Sequence, residues 1–185
     1  MKESSGQNAR VLDRALSTLE LTALGVIYKR GPCLAHAVVT EFSASQTSAY
    51  RSGAGSIYPL LRRLTEAGLL SCEDKRYTIS AAGLEALRTW VLPPLADSAG
   101  ATTLDSLRSR TYFLKLLDKN DQVAFCRDAI EKLSATLASC VTDVQRYRKA
   151  GDRYSELAML GAVRETESRI AWLEEVLAAI ETDQN

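Results

Sequence analysis

Histidine occurs once in the 185 residues, as His36, and that scarcity removes much of the chemistry a small protein can carry. A lone imidazole with no second ligand nearby makes no metal site, so His36 is expected to be structural. Cysteine is sparse and scattered: Cys33, Cys72, Cys126 and Cys140 form no C-x-x-C pair and lie too far apart for a short disulfide framework. Reduced, mostly buried thiols are expected. No apolar run approaches the length that spans a bilayer, and Met1 to Ala9 is polar, which predicts no secretory signal and a cytoplasmic protein. Glycine-rich phosphate loops are missing as well; Gly53-x-Gly55 lacks a third glycine and a preceding strand. With no nucleophile elbow and no paired carboxylates on an apolar face, an enzyme is not expected, and no cofactor or metal is.

Net charge is also lacking. The 23 Lys and Arg balance 23 Asp and Glu, which argues against a general polyanion binder. The balance is uneven along the chain, however. Residues 1–96 carry 11 basic against 8 acidic side chains, and residues 97–185 carry 12 against 15. Any nucleic-acid contact is therefore expected from the first half.

What is present is helical periodicity, and 46% of the residues are hydrophobic, enough to bury a core. Leu16, Leu19, Ala23, Val26 and Ile27 recur at helical spacing between about Val11 and Arg30, with Ser17 and Glu20 spaced as a capping box and Gly31-Pro32 as the stop. A shorter helix is predicted over about Leu34–Ser43, burying Val38, Val39 and Phe42. A polar stretch from Ser43 to Gly55 follows. Between Ser56 and Ala67, Ile57, Leu60, Leu61 and Leu64 form one apolar face, with Ser56, Tyr58, Arg62, Arg63 and Glu66 on the others and Gly68 placed to end the helix. Leu69–Cys72 and Arg76–Ile79 read as strands around a Glu73-Asp74-Lys75 turn. Ser80 can cap a further helix that Pro93-Pro94 ends.

Three helices, a two-stranded hairpin and another helix give the order of a winged helix-turn-helix, in which the third helix enters the major groove of DNA and the hairpin reaches the flanking backbone. The predicted architecture is mainly α, divided into a winged-helix DNA-binding domain over 1–94, a linker over 95–103 and a helical dimerisation domain over 104–185. In that last part a helix is expected from about Leu104 to Leu117, with Asn120 or Asp121 capping the next. Val123, Cys126, Ile130, Leu133, Leu137, Cys140, Val144 and Tyr147 then alternate by three and four. After a break at Gly151-Asp152, so do Met159, Val163, Thr166, Ile170, Leu173, Leu177 and Ile180. An antiparallel helical hairpin is the natural product. Leu157, Leu160, Trp172 and Val176 form a second apolar stripe, which, with Tyr112 and Phe113, implies a partner surface and a homodimer.

The run Gly55-Ser56-Ile57-Tyr58-Pro59-Leu60-Leu61-Arg62-Arg63-Leu64-Thr65-Glu66-Ala67-Gly68-Leu69-Leu70 resembles the recognition helix of the PadR family and its exit into the wing. Tyr77-Thr78-Ile79-Ser80-Ala81-Ala82-Gly83 followed by Leu87 resembles the second wing strand and the helix after it, and Phe42-Ser43-Ala44-Ser45 is similar to the AphA-like branch. The resemblance spans about Leu19 to Trp90, with a looser likeness in the helical tail. It implies a homodimeric transcription regulator, usually a repressor, on an inverted-repeat operator in duplex DNA, in some members released by a small aromatic compound. Where the family often has serine or threonine before the recognition helix this chain has Gly53, so Ser52 or the glycine is expected as the cap. The wing turn is shorter than in many relatives. Where the family often has an aromatic residue this chain has His36.

The candidate DNA contacts are Arg51, Ser52, Ser56, Tyr58, Arg62 and Arg63 at the third helix and Lys75 and Arg76 on the wing. Guanidinium groups suit either phosphate oxygens or guanine edges, and the helix N-terminus favours a phosphate. Tyr58 has a second reading as a core aromatic. The dimer candidates are Tyr112, Phe113, Leu157, Leu160, Trp172 and Val176. Trp90 is the candidate for an aromatic effector held between head and tail. The competing reading is a winged-helix and coiled-coil scaffold that binds protein and not DNA.

Overall fold

A computed structural model describes residues 14–45, 47–93 and 105–182; at 48 and 52–54 it describes the backbone alone. The chain separates into two compact units, Met1–Ala99 and Gly100–Asn185. The linker expected over 95–103 lies outside the described residues. Both units are predominantly helical, as the periodicity predicts, and among the described residues no helix is long and apolar enough to cross a membrane.

The first unit begins with α1 (Thr18–Arg30). The expected start near Val11 falls outside the described residues, and residues 14–17 are not helical. Ser17 is the N-cap: its hydroxyl accepts from the Glu20 amide at 3.3 Å while the Glu20 carboxylate accepts from the Ser17 amide at 2.9 Å. The capping box therefore opens the helix, which corrects the start predicted near Val11. β1 (Cys33–Leu34) follows, then α2 (Ala35–Ser43), which buries Val38 and Phe42.

The polar stretch expected after α2 is not all loop. It holds α3 (Ser48–Gly53) and a 3-10 turn over Ala54–Ser56. Tyr50 anchors α3, its ring 5.5 Å from that of Phe42 and its hydroxyl 3.1 Å from Thr22 Oγ1. The helix that resembles a recognition helix is thus α4 (Ile57–Glu66), fourth in the chain. Its N-cap is Ser56, without a side-chain capping bond, and not Ser52 or Gly53. Pro59 sits in the first turn, where its missing N–H costs nothing. Gly68, at φ +73°, ends the helix, with the Leu69 amide reaching back to the Leu64 carbonyl at 2.9 Å.

β2 (Leu70–Glu73) and β3 (Arg76–Ile79) form the wing, and the sheet has the antiparallel order β1-β3-β2. Glu73 pairs with Arg76, so the turn is two residues, Asp74 and Lys75, both at positive φ. Such a turn matches the twist of the strands, and it is one residue shorter than expected because β2 runs on to Glu73. Ser80 caps α5 (Ala81–Val91), accepting from the Gly83 amide at 3.0 Å and donating to the Gly68 carbonyl at 2.6 Å. Here glycine is demanded by space: a Cβ on Gly83 would lie 2.1 Å from the Leu69 carbonyl oxygen. Leu24, Ile27, Val38, Phe42 and the apolar face of α4 form the core of this unit.

In the second unit α6 (Ser106–Thr111) is capped by Asp105 and stops six residues earlier than predicted, with a 3-10 turn over Leu114–Leu116 after it. Tyr112 and Phe113 are therefore at the end of a short helix and not in the middle of a long one. Asp118, in place of Asn120 or Asp121, caps α7 (Lys119–Lys149) by accepting from the Asp121 amide. α8 (Arg153–Thr182) returns against it after Gly151. Ala129, Leu133 and Leu173 form one buried cluster along the hairpin, and Cys140, Val144 and Val163 form another.

Candidate nucleic-acid interface

The interface is built on α4. Ile57, Leu60, Leu61 and Leu64 are buried almost completely, and this fixes the rotation of the helix about its axis. Tyr58, Arg62 and Glu66 are consequently exposed. Tyr58 is more than half exposed, which answers the alternative that it is a core aromatic. Arg62 is 80% exposed, and its Nε donates to Glu66 Oε1 at 2.8 Å across one helical turn. An exposed pair of that kind contributes a few tenths of a kcal/mol, about 0.3–0.5, so it exchanges readily for a stronger anion.

Arg63 stands differently. Its guanidinium, 48% exposed, lies 3.8 Å from the Glu20 carboxylate. Glu20 is 1% exposed and accepts from Arg14 twice, at 2.7 and 2.9 Å, and from the Ser17 amide and hydroxyl, each at 2.9 Å. Burying a carboxylate is costly unless it is paired and hydrogen-bonded, and this one is both. The Arg14 guanidinium holds its carboxyl at a pKa of about 2, against the opposing push of burial, with Ser17 assisting.

The other candidates are spread over the same unit. Arg51 lies on α3, one element before α4, and donates to the Ser45 carbonyl at 2.8 Å. The Ser52 side chain lies outside the described residues. Ser56 is exposed at the start of α4. Lys75 is exposed at the wing turn at φ 63°, and Arg76, also exposed, reaches the Pro32 carbonyl at 3.4 Å. Trp90 is less than half exposed near the end of α5. His36 is exposed with Nε2 3.5 Å from Thr40 Oγ1. Among the described residues no group of three or more His, Cys, Asp or Glu could hold a metal ion. Cys33, Cys126 and Cys140 are buried, which pushes their thiols up in pKa and keeps them unreactive, whereas Cys72 is exposed on β2.

Of the dimer candidates, Tyr112 and Phe113 are strongly exposed and Leu157 about half exposed. Leu160 and Trp172 pack partly against the hairpin's own clusters, and Val176 is half-buried. The second stripe is thus not uniformly turned outward. Tyr112 and Trp172 come together in one open groove of about 300 Å³, with Arg108 and Thr111. Leu116, 85% exposed, was not legible as a surface residue because the sequence predicts a continuous helix there.

Comparison with known proteins bears on what this arrangement serves. Residues 105–181 match the family described as virulence activator alpha C-terminal. The negative transcriptional regulator PadR of Bacillus subtilis (strain 168) is 21% identical over 187 residues, covering 91% of this chain and all of that one. The chain is thus similar to PadR over most of its length. The fold is shared with Bacillus subtilis PadR in complex with p-coumaric acid (TM-score 0.71, 20% identity, 91% and 100% of the two chains) and with operator DNA (0.70, 20%, 89% and 99%). It is shared equally with the virulence activator AphA of Vibrio cholerae (0.70, 20%, 89% and 98%). By name these relatives are a negative transcriptional regulator and a virulence activator.

Proposed function

We propose that this protein is a PadR-family, sequence-specific DNA-binding repressor, acting as a homodimer on an inverted repeat through α4. The observation that carries the reading is the division of α4 into a fully buried apolar face and an exposed face bearing Tyr58, Arg62 and Arg63. A recognition helix needs both: the first to hold it rigidly, the second to meet base edges and phosphates. Arg51, Ser52 and Ser56 near the helix start and Lys75 and Arg76 on the wing complete the proposed contact set.

Dimerisation is supported by Tyr112 and Leu116, exposed to 80% and 85%, with Phe113 between them. Bulky apolar side chains clustered in so short a segment favour burial against a partner. The complex of Bacillus subtilis PadR with p-coumaric acid supports a small aromatic effector, with Trp90 as the residue proposed to report on it. Tryptophan fluorescence titrated with phenolic compounds, read alongside DNA release, tests that part.

The test of the DNA reading is the double variant Arg62→Ala, Arg63→Ala. Good contacts contribute about 1–3 kcal/mol each, so operator affinity should fall by a few kcal/mol in a fluorescence anisotropy titration. A folded double variant that binds as tightly as the parent rules out this face, and a parent that binds no duplex favours the protein scaffold.

A further inference from the structure

We propose that Arg14 and Arg63, drawn together by the buried Glu20 carboxylate, form a single binding site for one backbone phosphate of duplex DNA. The inference rests on the reading of α4 as the DNA-facing helix and adds to it a residue from outside the helix-turn-helix. Glu20 has no need of Arg63 for its own satisfaction, since Arg14 and Ser17 already supply four hydrogen bonds to its two oxygens. Arg63 sits at 3.8 Å, within Coulombic reach but beyond hydrogen-bond distance. Its guanidinium forms no hydrogen bond among the described residues, so its fork of N–H donors is uncommitted.

Two guanidinium groups repel unless an anion lies between them. Here one buried carboxylate serves both, leaving an excess of one positive charge shared by two cations that are each about half exposed, 52% at Arg14 and 48% at Arg63. The carboxylate and its ties to the Ser17 cap hold them in place, so little side-chain freedom remains to be lost on binding. A phosphodiester suits such a site because planar guanidinium groups fork onto phosphate oxygens. Arg14 precedes α1 and Arg63 lies in the last turn of α4, so one phosphate would tie the two elements together.

Phosphate contacts are blind to sequence, so the test uses the full chain and a random duplex of about 30 base pairs, with affinity measured by anisotropy from about 50 to 200 mM salt. Arg63→Gln should lower affinity and make the slope of log K against log salt shallower by about 0.9, the value for one neutralised phosphate. Arg63→Lys, which keeps the charge, should retain the slope. Arg14→Gln should give the same loss, and the double variant should lose about 0.9 and not about 1.8, because both side chains hold the same phosphate. Arg63→Gln leaves every hydrogen bond of Glu20 intact and tests the Arg63 half of the site. If Arg14→Gln fails to fold, Arg14→Lys, which keeps the charge beside Glu20 but loses the guanidinium fork, tests the other half by lowering affinity at an unchanged slope. An unchanged affinity in that variant overturns the sharing. Unchanged slopes with a parent that binds DNA overturn the site and leave the α4 reading standing; an additive loss in the double variant overturns the shared phosphate. Inorganic phosphate bound by the parent at constant ionic strength, with DNA slopes unchanged in the variants, would assign the site to a free anion instead. A parent that binds no duplex overturns the α4 reading itself.

Discussion

Glu20 is where residue-level chemistry and fold meet most closely. Its spacing from Ser17 announces a capping box, but nothing in the sequence announces that the same carboxylate is buried and shared with Arg14, six residues earlier, and Arg63, on another helix. Local spacing is legible; a partner brought in by packing is not. Because the folded carboxyl titrates near pH 2 and the unfolded one near 4.5, the group stabilises the fold fully above the unfolded value. That contribution is lost as pH falls from about 4.5 toward 2. Chemical denaturation of Glu20→Gln at a series of pH values should therefore show a shallower loss of stability across this window than the parent, and lower stability than the parent at pH 7. Identical pH profiles would show that Glu20 is not paired in the folded state. Lys75 carries a related lesson. Its left-handed backbone at φ 63° comes from a two-residue turn whose length is set by the pairing of Glu73 with Arg76, and a three-residue turn is the natural reading of Glu73-Asp74-Lys75 without that register.

At the scale of elements, the long periodic segments were the most legible. α2, α4, α5, α7 and α8 stand within a few residues of where the sequence puts them: α2, α4, α7 and α8 each bury an apolar face, whereas α5 buries only Gly83 and is set by its Ser80 cap. α3 was hidden because Ser48–Gly53 is polar and holds its place through one aromatic, Tyr50, against Phe42 and Thr22. β1 was hidden because two residues carry no period, and only pairing with β3 makes them a strand. α6 was overextended because the apolar spacing of Leu107, Leu114 and Leu117 suits a helix, whereas the chain turns at Tyr112 and again after Leu116. The junction of wing and α5 gives a sharp prediction. Gly83→Ala must force apart the Leu69 carbonyl and the first turn of α5, and overpacking of this kind costs about 1–3 kcal/mol. Thermal unfolding of the first unit should shift down accordingly; an unchanged midpoint would mean that α5 does not approach the wing so closely.

For the whole molecule, the proposed function divides between the two units, the first assigned to contacting DNA and the second to pairing two copies. The heptad spacing made the antiparallel hairpin legible, but the side chains proposed to pair two copies were only partly so. Trp172 packs into the hairpin's own cluster with Leu133 and Leu173, so Trp172→Asp would disturb the hairpin as well as any interface. Leu116→Asp is the cleaner probe, since Leu116 is exposed and makes no core. It should leave helical content unchanged while moving the protein toward monomer in sedimentation velocity at micromolar concentration, and operator affinity should fall with it. A parent that sediments as a monomer there would remove both the dimer and the inverted-repeat arrangement.

The central claim, that the exposed face of α4 meets the DNA backbone and bases, is tested most directly by the salt dependence of binding to the duplex upstream of the protein's own gene. Log K is expected to fall linearly with log salt, with a slope of several units. In Arg62→Ala, Arg63→Ala that slope should become shallower by up to about 0.9 for each phosphate no longer neutralised. Binding that is insensitive to salt, or a slope and affinity that the double variant leaves untouched, would contradict it.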